Sequence, residues 1–520
     1  MSTDDASAPA PADLIERART RHVVVVGGGI AGLVAAWQCA RVGMDVTVLE
    51  ASSRSGGAIR RATVGGITLD VGAESYATRG GHVRRLIDEL GLGADVVAPN
   101  GARAWLAGAP SGAAPLPPGG VLGIPGNPFA ADVRRIIGWR GAWRAYLDRL
   151  RPPLTIGHTH SLGALVSQRM GTRVLDRLVE PVVQGVYSAR AHDIDVDRAA
   201  PGLNAALTRT GSLSGAVSAL SGDRATKAPG GAVEGVRGGI TRIVDALVDR
   251  LHDVGATVST DVRVTALQRG TDRWQVALGG PEGDGSGPEA PSPGGATTLP
   301  ADAVIVATDE RMARALLMPV IPGLGDGDGG GHAAAEIEVV TLVVDARVLD
   351  NEPRGSGVLT VPGSFVAKAL THSTAKWAWL AEEARIHAPD RHVVRVSFGS
   401  QGEPPATAHL SDADALALGL AEASALLGVD LPPATLVAGH RERYTQSQPA
   451  SVIGRAAAMA GFRERVAATA GVAVVGAWIS GTGLAQVVPD AATEGERIRA
   501  ALLWTDPGPV NPDTEIGIQR

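Results

Sequence analysis

The stretch from Arg21 to Gly57, RHVVVVGGGIAGLVAAWQCARVGMDVTVLEASSRSGG, constrains the fold of this chain more than any other. Four consecutive valines, Val23 to Val26, have the β-branched, wholly apolar character of a strand buried on both faces. Gly27, Gly29 and Gly32 follow at the spacing G-x-G-x-x-G. A helical pattern comes next, with Leu33, Ala36, Trp37 and Ala40 on one face and Gly43 as its stop. Asp45 to Leu49 reads as a second strand with Glu50 at its end. In this order the parts describe a βαβ unit shaped for a dinucleotide. Gly27 permits the turn, Gly29 lets backbone approach a pyrophosphate, and Gly32 lets the helix pack close on the sheet. The helix N-terminus, at Ile30 and Ala31, supplies free N–H groups and partial positive charge. Glu50, 18 residues beyond Gly32, stands where a carboxylate accepts hydrogen bonds from a ribose.

The residues just past Glu50 and Ala51 bear on which dinucleotide is bound. Arg54-Ser55-Gly56-Gly57 resembles the glycine-doublet motif of FAD enzymes of the amine oxidase and protoporphyrinogen oxidase superfamily. Two glycines there let backbone run beside a pyrophosphate, and Arg54 offers charge-assisted hydrogen bonds. A nicotinamide dehydrogenase has no need of this element, so FAD is the expected cofactor.

Composition bounds the remaining classes. A chain of 520 residues has room for two or three domains, and 44% hydrophobic with 20% charged residues is a globular profile. A net charge of −6 gives no electrostatic reason to expect nucleic acid. Cys39 is the sole cysteine, which excludes an internal disulfide and a cysteine-based zinc site. It reads as a packed core thiol in a reducing, cytoplasmic protein. Residues 1–20 lack an apolar leader core and read as a flexible tail. No run of 18 apolar residues suggests a transmembrane helix, though a peripheral membrane contact suits an apolar substrate. His158-Thr159-His160 has no carboxylate or third histidine at ligand spacing, so no metal is expected.

Further along, strands are expected at Ile67 to Asp70, 257–267, 274–278 and 301–307, and a helix at His82 to Leu90. Residues 100–130 read as loop, 131–220 as several helices, and 282–296 and 321–334 as Gly-rich polar connections. Strands at Glu338 to Val344 and Val393 to Phe398 flank a helix at Asp412 to Leu427, and Val472 to Val475 precedes the turn Gly481-Thr482-Gly483. The expectation is an α/β protein, α+β overall. A Rossmann-like FAD-binding domain is assembled from 21–80, 230–310 and 471–505. It carries a mainly helical inserted domain (81–229, with part of the substrate region) and a sheet-containing substrate domain (311–470), with a tail at 506–520.

An ordered series of segments then resembles one family. DVGAESYATRG with LIDELGL (70–92), LVEPVVQGVYSA (178–189), VRGGITRIVDAL (236–247), GSGVLTVP (355–362) and THSTAKW (371–377) are similar to the oxygen-dependent protoporphyrinogen/coproporphyrinogen III oxidases. The resemblance implies FAD and a six-electron oxidation of a porphyrinogen in haem biosynthesis, with O₂ as acceptor and H₂O₂ as product. Hydride passes to flavin N5, so no side chain is expected to act as a catalytic acid or base. The resemblance places Gly27, Gly29, Gly32, Glu50, Arg54, Gly57 and Val264 on the ADP half. Gly481 and Gly483 fall near the pyrophosphate or ring, and Ala58-Ile59 and Gly72-Ala73 beside the flavin. Substrate propionates call for cations, for which Arg79 leads and Lys376 follows; Tyr187 is a further cavity residue.

Coproporphyrinogen III is the expected substrate, with protoporphyrinogen IX, an amine or polyene, and a non-catalytic flavin- or porphyrin-binding role as alternatives. The chain departs from the family pattern in three places. Ala58 stands where a basic residue is common, 441–455 lacks the Pro-Gln-Tyr element, and 484–494 lengthens the interval after Gly483.

Overall fold

The valine run forms the middle of a five-stranded parallel sheet, in the order Thr257–Ser259, Asp45–Leu49, His22–Val26, Ala303–Val306, Val472–Val474. Val23 to Val26 pair with Ala303 to Val306 on one side and with Val46 to Leu49 on the other. Alternation along the strand sends Val23 and Val25 into one core and Val24 and Val26 into another. Each buried valine contributes ~1.5–3 kcal/mol relative to exposure, so one continuous apolar run can only serve a sheet covered on both faces. The first core is roofed by helices Ile30–Ala40, Thr241–Asp253 and Leu484–Trp504. The second is roofed by Glu310–Leu317 and Arg455–Ala467.

The computed structural model describes residues 11–101, 103–151, 159–221, 233–279, 297–325, 335–446 and 451–504. Residues 1–10 of the expected tail, the connection 282–296, most of 321–334, His158, residues 447–450 and the tail 506–520 lie outside them.

A seven-stranded sheet forms the second layer, in the order Leu436–Gln446, Ala335–Asp345, Arg391–Phe398, Ala369–His372, Gly357–Thr360, Ala104–Ala109, Gly112–Pro115. Helix Asp412–Leu427 covers one face through Leu420, Ala423, Leu426 and Leu427. Between residues 131 and 221 the helices enclose a core of their own, which reaches this sheet through Leu106 and Leu359.

Three expectations are corrected. Residues 100–130 are not all loop, because Ala104–Ala109 pairs in parallel with Gly357–Thr360 and antiparallel with Gly112–Pro115. Its Ala- and Gly-rich sequence has little strand propensity, and a partner some 250 residues away supplies the hydrogen bonds. Residues 11–19 form a helix rather than tail; Leu14 and Ala18 pack on the first core, and Arg17 Nη1 donates to the Leu503 carbonyl at 2.6 Å. Finally, Glu310–Leu317 and Arg455–Ala467, expected near the start and within the substrate domain, roof the dinucleotide sheet instead. No helix among the described residues is long and apolar enough to cross a membrane.

Candidate functional site

The glycines after the first strand are held at distances that exclude side chains. At Gly32 a Cβ would lie 2.0 Å from the Gly27 carbonyl oxygen, and at Gly27 (φ +110°) it would lie 2.6 Å from that of Ala307. A Cβ on Gly29 would instead meet only Gly57 Cα, at 3.9 Å, so that face of the turn is open to a ligand. The intrahelical ladder begins with Leu33 N–H to the Gly29 carbonyl at 3.0 Å, so the N–H groups of Ile30, Ala31 and Gly32 precede it. Gly29 caps this helix without any side-chain bond. A pyrophosphate suits those donors and the dipole behind them.

The glycine doublet folds back onto this turn. Gly56 N–H donates to the Gly28 carbonyl at 2.8 Å, Gly29 and Gly56 form a parallel bridge, and Gly57 packs on Gly29. Glu50 sits over the same turn, accepting from Gly28 N–H at 2.7 Å through one oxygen and from Ser52 N–H at 2.9 Å through the other. The strand bearing Val264 leaves from here, with Val262 N–H bonded to the Glu50 carbonyl at 2.9 Å. Arg54 is half-exposed and lies 3.7 Å from the Glu442 carboxylate.

The segments expected beside a flavin ring also meet. A Cβ on Gly72 would lie 2.3 Å from the Ala58 carbonyl oxygen and 2.8 Å from Tyr444 Oη. Tyr444 Oη is buried with no hydrogen-bond partner among the described residues. Burial, and the Glu442 carboxylate nearby, push its ionisation well up. Gly483 has nothing within 4 Å of where its Cβ would be, and it opens helix Leu484–Trp504 by accepting from Gln486 and Val487 N–H. Residues 484–494, the lengthened interval, are the first half of that helix, and Gly495 lies against Ala35 and Gln38 of the first helix. Gly481 (φ +119°) closes the short preceding helix.

Arg79 and Tyr187 are brought together across 108 positions of chain. Burial raises the ionisation of Tyr187, and the positive charge of Arg79 partly offsets that. Arg79 is exposed and has no ion pair among the described residues. Lys376 differs: its Nζ lies 2.6 Å from Glu74 Oε1, while Arg395 Nη1 bonds the other oxygen at 3.0 Å. Its charge is neutralised internally, unlike the free cation expected at this position. Burial opposes ionisation of Glu74, but Lys376 and Arg395 outweigh it and hold the carboxyl down at about 2. Arg395 also donates to the carbonyls of Val71 and Gly72, tying the segment expected beside the flavin to the second sheet. Sequence alone does not reveal the pairing of Glu74 with Arg395, or Tyr444 as part of the site, because 321 positions separate Glu74 from Arg395 and neither Arg395 nor Tyr444 lies in a local motif.

Cys39 is buried with Sγ 3.6 Å from the Gly495 carbonyl, and burial pushes its thiol up to about 12. The expectation that no carboxylate stands by His160 is corrected, since Asp195 Oδ2 lies 3.3 Å from its Nδ1 with Asp197 adjacent. Asp195 there caps a short helix through the N–H groups of Asp197 and Arg198.

A parallel sheet with a glycine cradle, an acid over the first turn and a folded-back doublet defines a dinucleotide-binding flavoprotein. Residues 30–502 match the family of flavin containing amine oxidoreductases. The chain is 31% identical to a coproporphyrinogen III oxidase of Mycobacterium tuberculosis, over 89% of this chain and 94% of that one. It is 27% identical to a coproporphyrinogen III oxidase of Propionibacterium freudenreichii, over 94% and 93%. A solved structure from Exiguobacterium, described as a candidate protoporphyrinogen oxidase, superposes with a TM-score of 0.76 over 92% of this chain and 99% of that one; at 24% identity this speaks to fold. The chain belongs to the flavin-containing amine oxidoreductase family and is an FAD-dependent oxidoreductase.

Proposed function

We propose that this protein oxidises coproporphyrinogen III to coproporphyrin III, consuming three O₂ and releasing three H₂O₂ as six electrons and six protons leave the substrate. The relatives named as coproporphyrinogen III oxidases, matched over about nine-tenths of the chain, support this reading. The structural observation that carries it is the run from Gly72 to Arg79. Within seven residues the chain passes from a glycine pressed on Ala58 to a cation with no ion pair among the described residues, within electrostatic range of Tyr187. A ring at the first position places its carboxylates near the second.

Bound FAD supplies a hydride acceptor and returns the electrons to O₂. The donors of Ile30, Ala31 and Gly32 hold its pyrophosphate, with Gly27, Gly29, Gly56 and Gly57 keeping the path clear. Arg54 and Val264 contact the same ADP half, and Glu50 takes the ribose. Ala58, Gly72, Ala73, Gly481 and Gly483 border the ring, and Ala51 follows the ribose acid. Arg79 holds a propionate and Tyr187 lines the cavity. Lys376 acts through Glu74, keeping the 71–74 segment in place.

A peripheral membrane contact belongs to the same reading. Trp139, Trp143, Leu147 and Leu150 are 46–75% exposed and fall on one stripe at helical spacing. Arg135, Arg140, Arg149 and Arg151 are exposed beside them, while Asp148 is buried against Arg169. Aromatic side chains ringed by arginines suit an anionic lipid surface, where an apolar substrate collects.

The deciding assay offers coproporphyrinogen III and protoporphyrinogen IX separately to the flavin-loaded protein, first without and then with O₂. Porphyrin fluorescence and H₂O₂ are followed together. Preference for the first substrate at three H₂O₂ per porphyrin is expected. Oxidation of neither substrate by flavin-loaded protein overturns the reading.

A further inference from the structure

A cleft of about 710 Å³ lies between helix Glu180–Tyr187 and the loop joining strands Gly357–Thr360 and Ala369–His372. Its walls mix apolar groups, Leu175, Val361 and Phe365 among them, with the amine of Lys368. Lys368 Nζ donates to Ser188 Oγ at 2.7 Å, and that hydroxyl is its one partner among the described residues. Two N–H bonds remain, and no carboxylate among the described residues offsets the charge. The acids lining the cleft are engaged elsewhere: both Glu180 oxygens accept from Ala191 N–H at 3.1 Å, and Glu403 pairs with Arg190 at 3.4 Å. Asp176 lines the cleft as well, without reaching Lys368. Burial pulls the lysine down to about 8, which leaves it mainly cationic at neutral pH.

The residue presenting this amine is itself unusual. Ser188 is buried, ends helix Glu180–Tyr187 in the left-handed region (φ +51°), and is fixed by bonds from its N–H to the Gln184 carbonyl and from Gln401 N–H to its own carbonyl. A non-glycine residue in that conformation is retained where the surroundings over-determine it, and such positions concentrate at ligand sites. Its neighbour Tyr187 is the residue that senses Arg79. One helix end therefore holds a hydroxyl bonded to one cation, Lys368, next to a tyrosine within electrostatic range of a second, Arg79, and neither cation has an acidic partner among the described residues.

We propose that Lys368 is a carboxylate-binding residue and that its cleft receives a propionate arm of the tetrapyrrole distinct from the one held at Arg79. The inference rests on the porphyrinogen reading above. It assigns Lys368 a specificity role: protoporphyrinogen IX carries both propionates on one edge and engages one cation. Coproporphyrinogen III carries propionates on all four rings and spans both.

Lys368→Met in the flavin-loaded full chain tests this against both porphyrinogens, alongside a fluorescence titration of each protein with coproporphyrin III. One charge-assisted hydrogen bond corresponds to a loss of about tenfold to hundredfold. That loss is expected in kcat/KM for coproporphyrinogen III, through KM, and in coproporphyrin affinity. Protoporphyrinogen kinetics should change less than about threefold, flavin content should be unchanged, and Lys368→Arg should recover most of the affinity. Equal losses for both substrates, or none for either, overturn the proposal while leaving the porphyrinogen reading intact. A wild-type protein that neither turns over nor binds any of these tetrapyrroles overturns both.

Discussion

Replacing Glu74 by Gln should destabilise the protein by ~3–5 kcal/mol at neutral pH, and that penalty should shrink in acid. The carboxylate is 14% exposed and joins Lys376 (19% exposed) to Arg395 (7% exposed). Removing one partner of a buried pair leaves the other charges uncompensated, which typically costs ~3–5 kcal/mol. A second route gives a similar figure. The carboxyl titrates at about 2 in the folded protein against an ordinary 4.5. Each unit corresponds to about 1.4 kcal/mol, so the ionised form contributes ~3 kcal/mol. The folded value is the lower one, so the contribution is complete above about pH 4.5 and is lost as pH falls through 2. The difference between wild type and Glu74→Gln should therefore fall to ~1 kcal/mol near pH 3. Urea unfolding followed by tryptophan fluorescence at pH 7 and pH 3 measures it, with Trp377 a local reporter whose ring lies 5.1 Å from Lys376 Nζ. The flavin absorbance should also shift, because Arg395 holds the Val71 and Gly72 carbonyls. A penalty below ~1 kcal/mol at pH 7, or one equal at both pH values, refutes the reasoning.

Gly32→Ala places a Cβ 2.0 Å from the Gly27 carbonyl, so the purified variant should carry little FAD; a wild-type ratio of flavin to protein argues against the cradle. Arg79→Ala should raise KM about tenfold with flavin content unchanged, as expected for one lost charge-assisted bond. Unaltered kinetics remove Arg79 from the substrate site. The double variant Trp139→Ser, Trp143→Ser should no longer sediment with vesicles containing anionic lipid while keeping its activity on dispersed substrate. Undiminished sedimentation rejects that surface.

What could be read from the sequence follows its range of interaction. Strand His22–Val26, helix Ile30–Ala40 and strand Asp45–Leu49 are legible because strand, glycines, helix and acid succeed one another within 30 residues. Helix Asp412–Leu427 is legible for the same reason, since its apolar periodicity is local; the structure adds that Ser411 caps it by accepting from Asp414 N–H. Strand Ala104–Ala109 is not, since its pairing rests on Gly357–Thr360.

The amino-acid sequence by itself determined the dinucleotide cradle and the family, because the turn, the close approach and the helix dipole each demand particular residue types at fixed short spacings. Only the tertiary structure decided which charges are free. Lys376 and Arg79 look alike as isolated cations in the sequence, yet Glu74 neutralises the first, while the second has no ion pair among the described residues. Lys368 carried no signal in the chain until folding placed it on Ser188, with no acid partner among the described residues. Charge in a protein interior is governed by partners within a few ångströms, and those partners come from hundreds of residues away.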